Sequence, residues 1–269
     1  MARLSPLLQG YDQVILDLDG CVWLGDDPIE GSAEAVAALR EAGKRVIFAT
    51  NNSWHPGEDH VAGLWRMGIR ASLADVVTVG GAMQHLLAET RSGRTAYVIG
   101  TDALRRHVAE AGLKLMNGTD LASRAEVVVT GGTDQLHYDD LRTAALAVYR
   151  GADFLATSGD AALPTPEGPW PGTGAILAAV ETTAARRAQI VGKPEPQLFL
   201  TALDRLGDGR TLVVGDRHSD VAAAAAAGLD GALVHSGVGT GEIPGGPGGD
   251  GRPVPVAEAA SLGQLVLAS

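Results

Sequence analysis

Four groups of polar residues stand where apolar runs of the chain end. They are Asp17 with Asp19, the run Thr50-Asn51-Asn52-Ser53, Lys193, and Asp216 with Asp220. Several carboxylates brought together call for a hard, oxygen-seeking cation. Magnesium suits such a set, with one or two carboxylates, retained waters and a substrate phosphate. Lys193 adds a compact positive charge for phosphate, and the Thr50 hydroxyl with the amides after it can cradle phosphate oxygens. The residues therefore match a metal-bound phosphoryl group. Of the two N-terminal aspartates, one can attack phosphorus and form an aspartyl phosphate. The other can protonate the leaving alkoxide and then activate water, a role that requires a raised pKa.

The elements that must position these residues are legible as short apolar runs. Val14-Ile15-Leu16 leads into Asp17-Leu18-Asp19-Gly20 and reads as a buried strand of a parallel sheet, with Gly20 allowing a sharp turn. Residues 45–50 form a second such strand. A helix over 33–42, with Ser32 as its N-cap, joins the two into a right-handed βαβ unit that lands Thr50 beside Asp17. Residues 211–215 form a third strand, which ends in Asp216. Ligands of open α/β sheets bind beyond the carboxyl ends of the strands, where all these groups fall. Taken alone, each polar strand end would read as a solvated turn.

The remaining pattern is also α/β. Helices are expected over 58–67 and 82–91, with a strand over 75–79. From Arg94 a second series begins: strands over 97–99, 126–130 and 153–157, and helices over 102–111 (capped by Thr101), 138–150 and 175–187. Residues 158–174 are rich in proline and glycine and read as a long functional loop. A helix follows over 196–206, then a packing helix with six consecutive alanines before Gly228, and a strand over 231–235. A glycine-rich loop spans 237–251, and a terminal helix is expected over 257–268. About 165 residues separate Thr50 from Asp216, more than one βαβ connection needs, so a second domain is expected inside the first.

The formal net charge of −11 argues against nucleic acid or an anionic membrane as a partner. No apolar run reaches the ~18 residues of a membrane span, and the first ten residues lack a signal-peptide core. The lone cysteine, Cys21, excludes an intrachain disulfide and fits a cytoplasmic protein. Gly192-Lys193 continues with Pro194, so it is not a P-loop, and no Gly-x-Gly-x-x-Gly opens a helix after the first strand. His55 and His60 lack a further zinc partner and read as surface residues. Cys21 reads as a small, semi-buried residue rather than a nucleophile.

Asp17-Leu18-Asp19-Gly20, Thr50-Asn51-Asn52-Ser53, Gly192-Lys193-Pro194 and Gly215-Asp216-Arg217 with Asp220 resemble, in order, the four motifs of haloacid dehalogenase-like phosphatases. The forms Thr-Asn-Asn-Ser and Gly-Lys-Pro-Glu-Pro, with 163–168 and 171–174, resemble the NagD and p-nitrophenylphosphatase branch. The resemblance implies a Rossmann-like parallel-sheet core with a smaller α/β cap (C2-type) inserted in it: core 1–92, cap 93–187, core 188–269. It also implies a phosphoric monoester hydrolase with Asp17 as nucleophile and Asp19 as acid/base. Mg2+ would be held by the Asp17 and Asp216 carboxylates and the Asp19 carbonyl, with Asp220 supporting its waters. Thr50, Asn51, Asn52 and Lys193 would hold the phosphoryl group, and Leu163 at the tip of the cap loop would read the leaving group.

Three departures stand out: Cys21 in place of Thr or Val, an Asp216-to-Asp220 spacing one residue shorter than the branch has, and Ser158-Gly159-Asp160 in the cap loop. The expected substrate is a small phosphomonoester, glycerol phosphate first, ahead of a nucleotide, phosphoglycolate or pyridoxal phosphate. A phosphometabolite-binding protein without turnover is the rival class, and a homodimer through the cap is left open.

Overall fold

The computed structural model describes residues 3–165, 168–237 and 253–268. The chain forms two compact units. One comprises Met1–Thr50, Gly57–Val77 and Lys193–Ser269; the other comprises Asn51–Pro56 and Thr78–Gly192. The expected cap bounds, 93–187, fall inside the second.

The first unit is built on a six-stranded sheet in the order Glu258–Ala259, Asp230–Val234, Thr211–Gly215, Gln13–Leu16, Arg45–Thr50, Val76–Thr78. The strands from Glu258–Ala259 to Arg45–Thr50 pair in parallel. Gln13–Leu16 lies between its two partners, with Leu16 opposite Val214 on one side and Phe48 on the other. All four of its residues are buried, and Val14-Ile15-Leu16 is apolar without alternation because both faces of a parallel sheet are covered; the buried Gln13 amide donates to Thr211 Oγ1 at 2.8 Å. Val14, Leu16, Val46, Phe48, Val214 and Ala232 join one apolar core. The helix His218–Ala226 carries the alanine run, and Ala223 and Ala224 are fully buried against the sheet.

Three expectations for this unit change. The helix after the first strand is Ser32–Glu41, and its cap is the left-handed Gly31, with Ser32 buried in the first turn. The terminal segment is not one helix. Glu258–Ala259 pairs with Leu233 and Val234, and only Leu262–Val266 is helical. The free sheet edge competes for the backbone there, and the Ser261 hydroxyl, accepting from Gln264 N at 3.3 Å, starts the helix late. A short hairpin, Trp23–Leu24 with Asp27–Pro28, also forms in what reads as a loop.

The second unit has a five-stranded parallel sheet in the order Gln189–Ile190, Asp153–Ala156, Val127–Thr130, Thr95–Ile99, Lys114–Leu115. The helices Tyr138–Tyr149 and Thr173–Ala184 contribute Ala144, Val148, Ile176 and Val180 to its core. The helix Val79–Arg91 starts earlier than expected because Thr78 caps it, Oγ1 accepting from Gly81 N at 3.1 Å. The 158–174 segment is not all loop: Ala162–Thr165 and Gly168–Pro171 form an antiparallel hairpin. Prolines hide it from sequence reading, since a donor-less residue is tolerated only in an isolated or edge ribbon of this kind.

Candidate active site

Asp17 follows the strand Gln13–Leu16 directly, and its N–H donates to Val214 O at 2.9 Å. Asp216 follows the neighbouring strand Thr211–Gly215 in the same way, and Asp220 sits in the first turn of the helix after it. Asp220 Oδ2 accepts from Arg217 N at 3.0 Å, which fixes that carboxylate at the helix start. The close approach depends on Gly215, where a Cβ would come 2.2 Å from Asp220 Cγ. Lys193 Nζ lies 2.7 Å from Asp17 Oδ1 and 2.6 Å from Asp220 Oδ1, with all three side chains buried.

One oxygen from each of Asp17, Asp216 and Asp220 lies within 4.8 Å of the other two. Asp216 Oδ1 is buried with no hydrogen-bond partner among the described residues. Its other oxygen is walled by backbone: a Cβ would come 2.2 Å from Oδ2 at Gly20 and 1.9 Å from it at Gly237. Three carboxylates facing one ammonium leave two negative charges uncompensated. Such an excess is expensive to bury.

The titration of the cluster reflects that excess. Burial pushes the Asp17 carboxyl up to about 8 against the pull of Lys193. Burial and then the Asp220 charge push Asp216 up to about 6. For Lys193, burial works to lower the pKa, but Asp17 and Asp220 outweigh it and hold the ammonium well above its usual range. An orphaned buried oxygen, a glycine-lined cradle and an all-oxygen donor set with excess negative charge together fit a hard divalent cation.

Asp19 stands apart from this group. It is exposed, with Oδ1 accepting from Trp23 Nε1 at 2.9 Å and Oδ2 accepting from Thr50 Oγ1 at 3.4 Å. Two carboxylates two residues apart thus have opposite settings: Asp17 is buried on a lysine, and Asp19 faces solvent between two neutral donors.

Asp17, Asp19, Thr50, Lys193, Asp216 and Asp220 all belong to the first unit. Asn51, Asn52 and Leu163 belong to the second. Asn52 Oδ1 accepts from Trp54 N at 2.9 Å and closes the turn after Thr50. The Leu163 backbone pairs with Trp170 in the hairpin; its side chain, Glu167 and residues 238–251 of the glycine-rich loop lie outside the described part. Asp160 is tied locally, its Oδ2 accepting from Ser158 Oγ at 2.8 Å.

Cys21 is fully buried, and burial raises its thiol well above the usual range, so no thiolate is available. His55 is exposed as expected, but His60 is buried in the helix Gly57–Arg66, with its ring stacked on Trp23 at 6.3 Å and 7°. The apolar neighbours that bury it leave no sequence signature within a polar stretch. Trp23 and Gly237 were also invisible as site residues. Trp23 looks like a core aromatic, and Gly237 merges into a glycine-rich run.

Fold and site together define a class: parallel α/β proteins that gather carboxylates and a lysine at the carboxyl edge of one sheet and carry a second α/β unit within the chain. The chain belongs to the haloacid dehalogenase-like hydrolase family. The family model so described matches residues 14–114, and a second model, HAD-hydrolase-like, matches 190–258.

The D-glycerol 3-phosphate phosphatase of Mycobacterium tuberculosis is 36% identical over 87% of this chain, which spans 66% of that protein's length. The crystal structure of the glycerol phosphate phosphatase of that organism, in complex with magnesium, superposes with a TM-score of 0.86 at 33% identity, covering 98% of this chain and 79% of that one. The acid sugar phosphatase of Staphylococcus haemolyticus is 32% identical over 87% of this chain and 88% of its own length. NagD of E. coli K-12 superposes with a TM-score of 0.81 at 27% identity, covering 94% of this chain and 97% of that one. The resemblance to the NagD branch is thus borne out. Among the described residues, no helix is long and apolar enough to cross a membrane.

Proposed function

We propose that this chain is a magnesium-dependent phosphoric monoester hydrolase that acts through an aspartyl phosphate on a small phosphometabolite, glycerol phosphate first. The observation that carries the reading is the division of labour at one sheet edge: a buried Asp17 held by Lys193 within a carboxylate cluster, and a separate, exposed Asp19.

The Asp17 and Asp216 carboxylates and the Asp19 carbonyl would hold the cation, with Asp220 behind them. Magnesium, when bound, neutralises the excess negative charge and stabilises charge on the phosphoryl oxygens. Lys193 orients Asp17 from one side and Asp220 from the other. An Asp17 oxygen forms a bond to phosphorus, the ester P–O bond breaks, and its electron pair goes to the leaving oxygen, which takes a proton from Asp19. Asp19, now a carboxylate, takes a proton from water as the water oxygen bonds to phosphorus and the Asp17 O–P bond breaks, which restores the Asp17 carboxylate and releases inorganic phosphate. Thr50, Asn51, Asn52 and Lys193 would hold the phosphoryl oxygens.

The second unit would act as a cap, with its 158–174 segment, Leu163 included, choosing among leaving groups. Glycerol phosphate is supported by the mycobacterial relative's name, and small sugar phosphates by the staphylococcal one. The single, buried Cys21 is in keeping with a cytoplasmic enzyme. A homodimer through the second unit is supported by Tyr138, Leu146 and Tyr149, all exposed on one helix face.

A panel of phosphomonoesters with magnesium or with EDTA tests the reading. Glycerol phosphate and small sugar phosphates should be hydrolysed with magnesium and not with EDTA. Far better turnover of nucleoside monophosphates, phosphoglycolate or pyridoxal phosphate would overturn the substrate, and tight binding without turnover would overturn the activity.

A further inference from the structure

Asp19 is exposed, yet the residue that holds it is not. Trp23 is 6% exposed, and its Nε1–H donates to Asp19 Oδ1 at 2.9 Å. The indole is fixed on several sides. Its ring stacks on buried His60, and its edge lies 3.5 Å from where a Cβ would stand on Gly63, so the helix Gly57–Arg66 packs directly on the indole. Its backbone closes the turn that carries Asp19: Gly20 N donates to Trp23 O at 2.7 Å, and Trp23 N donates to Leu18 O at 3.2 Å. The donor is therefore a rigid part of the core, while the acceptor is a short side chain in water.

We propose that Trp23 is a positioning residue for Asp19 and decides which of its two oxygens carries the transferred proton. This rests on the phosphatase reading above. Oδ1 is committed as acceptor to the indole N–H, which can only donate, whereas the Thr50 hydroxyl 3.4 Å from Oδ2 can also accept, so a proton on the carboxyl sits on Oδ2. In the first step that proton goes to the leaving oxygen as the ester P–O bond breaks; in the second, Oδ2 takes a proton from the water whose oxygen bonds to phosphorus as the Asp17 O–P bond breaks. Without the indole N–H only the long 3.4 Å contact with the Thr50 hydroxyl holds the carboxyl, and either oxygen can face the substrate.

The test uses two substrates that differ in their need for an acid. An alkoxide leaving group such as glycerol's must be protonated, whereas p-nitrophenolate leaves unaided. For Trp23→Phe, kcat/KM on glycerol phosphate should fall about 10- to 100-fold, and on p-nitrophenyl phosphate by less than about threefold by the same reasoning. The ratio is read within one preparation, so a partly unfolded sample lowers both values and leaves the ratio unchanged. Benzothienylalanine incorporated at position 23 keeps the shape and lacks only the N–H; it should show the same selective loss. Equal losses on both substrates, in either variant, would overturn the inference and leave Trp23 a packing residue. Absence of hydrolysis of both substrates by the unaltered protein would instead overturn the phosphatase reading itself.

Discussion

Raising the pH from 6 to 8 in EDTA should destabilise the protein, and magnesium should remove the effect. The sign follows from Asp17. Its carboxyl lies at about 8 in the folded chain against 3.8 ordinarily, so the folded state holds a proton that the unfolded state has already lost. Stability from that proton is complete below about pH 4 and is lost as pH rises through the folded value. Asp216, at about 6, adds to the loss at the lower end, and most of the loss between 6 and 8 belongs to Asp17. One proton corresponds to about 1.4 kcal/mol per pH unit, less near the folded value where the proton is half lost, hence about 2 kcal/mol over the two units. For a domain of this size that is roughly 4–8 °C in Tm.

A bound divalent cation requires the carboxylates ionised and releases that proton, so its stabilisation should grow with pH. Thermal unfolding at pH 6, 7 and 8, with EDTA and with magnesium, reads both trends. The Tm in EDTA should fall, and the gap to the magnesium sample should widen. A Tm in EDTA that is flat or rises over this range, with a constant gap, would refute the charge argument for the cluster.

Lys193→Ala should lower kcat/KM by several orders of magnitude, and Lys193→Arg should recover little, since a compact ammonium fits between Asp17 and Asp220 where a planar fork does not; full rescue by arginine would mean that charge alone suffices. Gly237→Ala places a methyl on Asp216 Oδ2 and should weaken magnesium binding at least tenfold by calorimetry, with the folded signal by circular dichroism retained. Unchanged affinity would mean that Asp216 turns elsewhere. Leu163→His should change the ranking of substrates, and an unchanged ranking in the phosphomonoester panel would remove the hairpin from specificity.

Much of the first unit was legible because a parallel strand covered on both faces must be apolar throughout, as Val14-Ile15-Leu16 and Leu212-Val213-Val214 are. The polar residue that follows such a run then marks the carboxyl edge, and this located Asp17, Thr50 and Asp216 without knowledge of register. Elements whose existence depends on a distant partner were hidden. The strand Glu258–Ala259 forms because Leu233 and Val234 offer an edge, and the hairpin at 162–171 pairs two proline-containing segments. Site residues that act through position alone were hidden for a similar reason. Nothing local distinguishes Gly237 from the glycines around it, or Trp23 from any core aromatic; only the turn that brings Trp23 Nε1 to Asp19 and the strand end that brings Gly237 to Asp216 give them roles.

As the proposed nucleophile, Asp17 should become phosphorylated during turnover. Acid-quenching the protein during turnover of a radiolabelled phosphomonoester with magnesium, followed by peptide mapping, tests it most directly. The account predicts a hydroxylamine-sensitive phosphoryl label on the peptide that contains Asp17, at no more than one per chain, absent from Asp17→Asn along with the activity. Steady turnover with no trapped label at any quench time, together with near-normal activity in Asp17→Asn, would contradict it.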